Sequence, residues 1–260
     1  MEEFKKYLLA TTLHECTICT HLRNLGKYTE DLHDTEKAII AHVKKTYDEG
    51  SPRKGMLISI LKYRGFYELP VTLLRASLQT AHTEALALQS IRTKELDYPL
   101  MEDMMTLLET YYKDKKYKEY CTLYLLLNYQ TRNKDLVARV IHDKKTMNRE
   151  DNYIYLRKND CIYIRQDYKT ASTYGIKKEV IKSRKFNHAI SSLTELLSGS
   201  NLTYEVKKLT GGFTESTMMK LSIMNNNNLN ALMQISHNRG TNINTMYASY
   251  NNTWTPFKKV

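Results

Sequence analysis

The spacing of apolar residues divides the chain into a helical first part and a mixed second part. Apolar positions recur at helical intervals early in the chain, in segments at Glu2–Leu9, Glu36–Tyr47 and Leu73–Ser90. Breaks in this pattern fall at Gly50-Ser51-Pro52 and Leu69-Pro70, where glycine and the pre-proline restriction disfavour helix. The pattern pauses again over Arg92–Pro99. We therefore expect a helical domain over residues 1–95 and a second domain over residues 96–260.

The second part begins with helical patterns and then changes period. Tyr98-Pro99 predicts a helix start with Pro99 in the first turn, and Tyr117–Tyr129 predicts a more deeply buried helix. A third helix is expected from Lys134. Two β-rich runs follow, Tyr153–Leu156 and Cys161–Ile164, and the turn sequence between them predicts a hairpin.

Helical patterns return after this hairpin. They lie at Ile176–Ile181, Phe186–Leu197, Glu215–Met224 and Leu229–Ile235. The asparagine run Asn225–Asn228 between the last two predicts a loop or a helix terminator. The expected fold is mainly α with a small antiparallel hairpin or sheet.

Composition and charge narrow the function classes. A hydrophobic fraction of 42% with 26% charged residues is ordinary for a globular protein, and no apolar run reaches the length of a membrane span. The first residues lack a secretory signal pattern, so we expect an intracellular protein and no membrane partner. The net charge of +11 favours a polyanionic partner, although a merely soluble basic protein explains it equally well.

The segment HECTICTH near the start offers candidate zinc ligands, Cys16 and Cys19, with His14, His21, His33 and His42 nearby. It lacks a second clean ligand pair, so burial of the two cysteines in an apolar helical pattern is the preferred interpretation, and no metal or cofactor is expected. Four residues of this part are candidate phosphate contacts or, equally, part of a solvated face: Lys54, Lys62, Arg64 and Arg75.

Three segments of the second part resemble the tyrosine recombinase and integrase family. YCTLYLLLNYQTRNKDLVARV resembles the buried helix and arginine turn of that family, with Arg132 and Asp135 in the matching places. YIRQDYKTASTYGIKK resembles its β-strand lysine, here Lys169. LMQISHNRGTNINTMYASY resembles the segment that supplies a histidine and the nucleophilic tyrosine, here His237 and Tyr250, or Tyr247. Such a fold would place a tyrosine recombinase-like catalytic domain after a helical core-binding domain.

The resemblance implies strand exchange through a 3′-phosphotyrosyl link, without cofactor, by a homotetramer on paired duplex DNA sites. Arg132 would hold the nonbridging oxygens and Asp135 would hold Arg132. Lys169 would protonate the leaving 5′ oxygen, and His237 would donate to the phosphate or assist proton transfer. Each residue also has a structural interpretation: a helix-start ion pair, a solvated lysine, a core histidine or a packing tyrosine.

The sequence departs from the family at the second active-site arginine. The family motif His-x-x-Arg has its best counterpart in Lys207-Lys208-Leu209-Thr210, with threonine in place of arginine. Arg239 or Lys208 are candidate substitutes. Three hypotheses therefore stay open: a recombinase or integrase of a virus or mobile element, a DNA-binding protein that keeps the fold without cleavage, and a basic helical protein that binds RNA or another protein.

Overall fold

A computed structural model describes residues 1–95, 99–148, 150–168, 170–199, 201–226, 228–243 and 246, with the side chains of residues 90 and 92–95 outside the description. The chain forms two compact units, Met1–Leu96 and Asp97–Val260. Within the described residues, no helix is long and apolar enough to cross a membrane.

The first unit is helical. Its helices are α1 (Glu2–Leu9), α2 (Glu15–Gly26), α3 (Glu36–Thr46), α4 (Ser51–Phe66) and α5 (Thr72–Glu95). The predicted breaks are confirmed: Gly50 precedes α4 with a φ of 89°, and Leu69-Pro70 separates α4 from α5. The apolar faces meet in one core that includes Phe4, Ile39 and Ile60.

The second unit combines helices with a four-stranded sheet. Its elements are α6 (Met101–Lys113), α7 (Tyr117–Tyr129), β1 (Ala138–Ile141), β2 (Asn152–Leu156), β3 (Cys161–Arg165), α8 (Ala171–Tyr174), β4 (Lys177–Ile181), α9 (Arg184–Ile190), α10 (Leu202–Leu209), α11 (Glu215–Met224) and α12 (Leu229–Arg239). A mainly helical chain with a small sheet is thus confirmed.

The sheet is mixed. Its order is β1-β2-β3-β4, with β1 parallel to β2 and the other pairs antiparallel. The predicted hairpin is β2–β3, where Leu156 pairs with Cys161. In the next strand pair, β3 and β4, Arg165 at the end of β3 lies opposite Lys177 at the start of β4. Helix α7 is the buried centre of this unit, and its Leu123 and Leu125 are completely covered.

Four predictions for the second unit are wrong. Pro99 lies before the helix, because α6 begins at Met101. Lys134 begins a single 3-10 turn, and the β-branched run that follows pairs as β1. Ile176–Ile181 contains strand β4, with buried residues at both ends and a partly buried one, Glu179, at its centre. Helix α9 ends at Ile190 well short of Leu197, and Glu195 forms a bridge to β1 instead.

The remaining helix predictions hold. Helix α7 and helix α11 have the predicted bounds, and α12 extends four residues beyond the predicted end. The asparagine run separates the last two helices, because Asn225 ends α11 and the Asn228 side chain accepts from the amide of Ala231 at the start of α12.

Candidate functional site

A tight turn presents Arg132 at the carboxyl end of the buried helix α7. The helix stops at Gln130, which adopts a left-handed conformation with a φ of 45°. Three residues later, the Asp135 carboxylate accepts a hydrogen bond from the backbone amide of Arg132 at 3.2 Å. Asp135 therefore closes the segment from Thr131 to Leu136, called the arginine turn below.

A buried ion pair fixes the arginine turn to the sheet. The Arg165 guanidinium is 1% exposed and donates to the completely buried Asp135 carboxylate at 3.2 Å. It also binds the Glu179 carboxylate on β4 and lies 5.3 Å from the centre of the Tyr163 ring. Burial alone lowers the pKa of Arg165, but Tyr163, Glu179 and Asp135 reverse this and leave the pKa raised. The Arg165 guanidinium therefore stays protonated although it is buried.

Arg132 itself lies where three segments of the chain meet. Its guanidinium is half-buried, 3.4 Å from the Thr170 hydroxyl and 3.5 Å from the Gly240 carbonyl oxygen. The Thr170 hydroxyl donates to the same Gly240 carbonyl at 2.7 Å. The arginine turn, the β3–β4 connection and the end of α12 therefore come together around Arg132.

Lysine 177 adds a second positive charge at this junction. Its ammonium group donates to the carbonyls of His237 and Asn238, the latter at 3.2 Å, and so caps the negative end of α12. The rings of Tyr168 and Tyr174 lie 5.5 and 5.7 Å away. The side chain of Lys177 thus lies under the last turn of the helix.

Burial changes the protonation of Lys177. The residue is 6% exposed, and burial followed by the charge of Arg165 lowers the pKa of Lys177 to about 8. A lysine with such a pKa exchanges its proton near neutral pH, as a general acid must. The sequence interpretation missed both Lys177 and Arg165.

The His237 side chain is exposed in the last turn of α12. It lines a depression of about 610 Å³ together with Tyr174, Lys178 and Gln234. Its backbone, in contrast, is fixed through the carbonyl that Lys177 binds. The imidazole is therefore presented to solvent beside the junction that holds Arg132.

Arg239 is a buried residue that positions the arginine turn. Its guanidinium donates to the carbonyls of Gln130 at 3.4 Å and Thr131 at 3.1 Å, and it binds the Glu215 carboxylate. The second oxygen of Glu215 accepts from the amide of Asn133 at 2.6 Å. Arg239 and Glu215 together hold the first half of the arginine turn in place.

Thr210, the residue predicted to stand in place of the family's second arginine, is a structural residue. Lys207 and Lys208 are exposed in the last turn of α10, whereas Thr210 is completely buried. The Thr210 hydroxyl donates to the carbonyls of Val206 at 2.8 Å and Phe213 at 2.6 Å. Thr210 therefore stabilises the turn between α10 and α11.

Three predicted site residues, Lys169, Tyr247 and Tyr250, lie outside the described residues. The structure does describe a residue adjacent in sequence to Lys169 and one adjacent to Tyr247. Thr170, next to Lys169, contacts Arg132, and Met246, next to Tyr247, is 1% exposed among the apolar side chains of α11 and α12.

The cysteine pair of the first unit is exposed, so the expected burial of Cys16 and Cys19 is wrong. Cys16 Sγ lies 3.1 Å from Nδ1 of His14 at the start of α2. His21 is buried on the other side of that helix and bonds to the Ser59 hydroxyl at 3.0 Å. Among the described residues, no group of three or more potential ligands could hold a metal ion.

The four candidate phosphate contacts of the first unit differ in exposure. Arg64 is 2% exposed and donates to the carbonyls of Leu32, Asp34 and Pro70, so it is a structural residue. Lys54 lies 2.7 Å from Nδ1 of His82. Lys62 and Arg75 are exposed.

Comparison with solved structures found a weak structural likeness. No family model and no curated protein matched the chain. Among solved structures, the crystal structure of XerA recombinase is similar over 96% of this chain and 92% of that chain, with 11% sequence identity and a TM-score of 0.37. A likeness this weak does not establish a shared fold.

Proposed function

We propose that the chain binds duplex DNA and that its second unit cleaves and rejoins DNA strands through a tyrosine, in the manner of a tyrosine recombinase or integrase. The observation that carries the proposal is the position of Arg132. A buried Asp135–Arg165 pair fixes its turn, and its guanidinium meets the two segments that the sequence resemblance assigns to the same site.

The chemistry requires a positive site for a phosphodiester. In the proposed step the tyrosine hydroxyl gives its proton to a base and its oxygen forms a bond to phosphorus. The bond between phosphorus and the 5′ oxygen breaks, and a general acid gives that 5′ oxygen a proton. Arg132 would bind the nonbridging oxygens, and His237 would donate to them or assist proton transfer. Lys169 remains the proposed acid, with Lys177 as a second candidate because of its lowered pKa.

A suicide-substrate assay tests the proposal. The protein is incubated with nicked duplex DNA from its own genomic neighbourhood, and an SDS-resistant adduct is sought and mapped by mass spectrometry. We expect the adduct at Tyr250 or Tyr247, its loss in the corresponding tyrosine-to-phenylalanine variant, and a decrease of about 10²- to 10³-fold in Arg132→Ala. Arg139→Ala, which removes an exposed arginine, is the matched control and should form the adduct at the wild-type rate.

The second candidate function is DNA binding without cleavage. Thr210 favours it, because this buried turn residue stands where the family places its second arginine, and Arg239 is engaged with Glu215. Under this hypothesis the wild-type protein binds duplex DNA and forms no adduct. Light scattering of the protein on paired sites tests the proposed tetramer in either case.

A further inference from the structure

A basic cleft lies at the opposite end of the sheet from Arg132. Arg165 and Lys177 mark the Arg132 end, and the β2–β3 turn with the end of β4 marks the other. Four residue steps along a strand separate these ends by about 13 Å. The cleft has a volume of about 1260 Å³ and contains six basic side chains: His142, Arg157, Lys158, Lys182, Arg184 and His188.

The charge of the cleft is strongly unbalanced. Asp160 is the one carboxylate that lines it, and both oxygens of Asp160 bind the Arg157 guanidinium, at 2.5 and 2.6 Å. Within the part of the chain that the structure describes, no ion pair joins Lys158, Lys182 or Arg184 to an acidic side chain. Four permanent cations and one carboxylate thus leave a net charge of three, before either histidine is protonated.

Hydrogen bonds and ring contacts hold the walls of the cleft in place. The Arg157 amide donates to the Asp160 carbonyl at 2.9 Å, which fixes the hairpin turn that bears Lys158. On the opposite wall, Nδ1 of His188 lies 3.2 Å from the Tyr112 hydroxyl, and the His188 ring meets the Tyr117 ring edge-on at 5.4 Å. The cations are therefore presented around a preformed space.

We propose that this cleft is a second binding site for phosphate groups, separate from the Arg132 site, and that a nucleic-acid backbone supplies them. Clustered like charges are tolerated where solvent or an anion neutralises them, and lysine and arginine are the usual phosphate contacts of proteins. The choice of a nucleic acid rests on the proposed function. A free oligophosphate shares the same chemistry and is distinguished by the experiment.

The test compares two double variants of the full chain. Lys158→Ala/Lys182→Ala removes two cations of the cleft, and Lys113→Ala/Lys115→Ala removes two exposed cations at the end of α6. Affinity for a duplex is measured against salt concentration. Each phosphate contact contributes about 0.9 to the slope of log affinity against log salt, so the cleft variant should lose about 1.8 from the magnitude of its slope, on every DNA sequence. The control variant should keep the wild-type slope.

A second arm uses sodium tripolyphosphate and isothermal titration, and it does not depend on DNA binding. In one outcome, the cleft variant alone loses tripolyphosphate binding while its slope of log DNA affinity against log salt stays unchanged. That result supports the phosphate site but assigns it to a free anion and not to a nucleic acid. Equal behaviour of both variants in both arms overturns the site. Adduct formation on saturating DNA separates the two proposals, because the cleft variant should keep the wild-type rate whereas Arg132→Ala should be slower by about 10²- to 10³-fold.

Discussion

The buried Arg165 gives the sharpest prediction about the architecture of the candidate site. In Arg165→Met the side chain keeps much of its length, but the Asp135 and Glu179 carboxylates lose their shared cation and the Asn238 carbonyl loses a 2.8 Å hydrogen bond. Removing one partner of a buried ion pair costs about 3–5 kcal/mol, because a charge stays buried without compensation. With a denaturant dependence of about 2 kcal/mol per molar urea, the unfolding midpoint should fall by about 1.5–2.5 M.

Arg139→Met is the matched control for this substitution. Arg139 lies on β1 of the same sheet and pairs with Asp151 at 3.5 Å, but the two side chains are 64% and 40% exposed. An exposed pair contributes less than about 1 kcal/mol, so the midpoint should move by less than about 0.5 M.

Urea titration followed by circular dichroism gives the midpoints, and hydrogen exchange of peptides from β3 and β4 assigns the loss to the second unit. Replacing Glu179 by glutamine in the Arg165→Met background should recover part of the stability, because it removes one of the uncompensated charges. The reasoning is refuted if Arg165→Met and Arg139→Met shift the midpoint equally.

Two further predictions concern the end of α12. An unfolded lysine keeps its pKa near 10.5 whereas the pKa of Lys177 is about 8, so between these values the unfolded chain binds more protons and the stability contributed by this residue rises with pH. The urea midpoint of the wild type minus that of Lys177→Met should therefore rise between about pH 8 and about pH 9.5, whereas the same difference for the exposed control Lys178→Met should stay constant. A constant difference for Lys177→Met would contradict the reasoning. Gly240→Ala should destabilise by about 1–3 kcal/mol, since Gly240 has a φ of 58° and a Cβ would lie 2.9 Å from the Thr170 hydroxyl. Gly65→Ala, in open space within α4, should be neutral or slightly stabilising when the urea midpoints of both variants are compared with that of the wild type.

Much of the fold was predictable because the spacing of apolar residues along the chain matches the helices and strands that form. Helix α7 has apolar residues on all sides and ends at the predicted residue, and the hairpin consists of two β-rich runs around a polar turn. Strand β4 was not predictable in this way. Its buried positions are Lys177 and Ile181, and a buried lysine gives no apolar signal from which a period of two could be read.

The candidate site was predictable only in part, for a related reason. Arg132 and Asp135 are neighbours along the chain, so the family resemblance of one short segment was enough to indicate their turn. Arg165 neutralises Asp135 from 30 residues away, and Lys177 caps a helix that ends about 60 residues later. A charged side chain is buried only where a partner neutralises it. When that partner is distant in sequence, one sequence does not reveal which residues pair.

The contacts around the arginine turn also constrain how the protein acquires its structure during synthesis. Arg132 and Gly240 are 108 positions apart, and Asn133 and Glu215 are 82 apart. Closing a loop of that length opposes folding by about 4 kcal/mol of chain entropy, which only contacts from α11 and α12 offset. A nascent chain that has not yet released α12 from the ribosome would contain the sheet and α7 but would lack the contact between Arg132 and Gly240. The surroundings of Arg132 are therefore completed only after α12 and Gly240 have been translated.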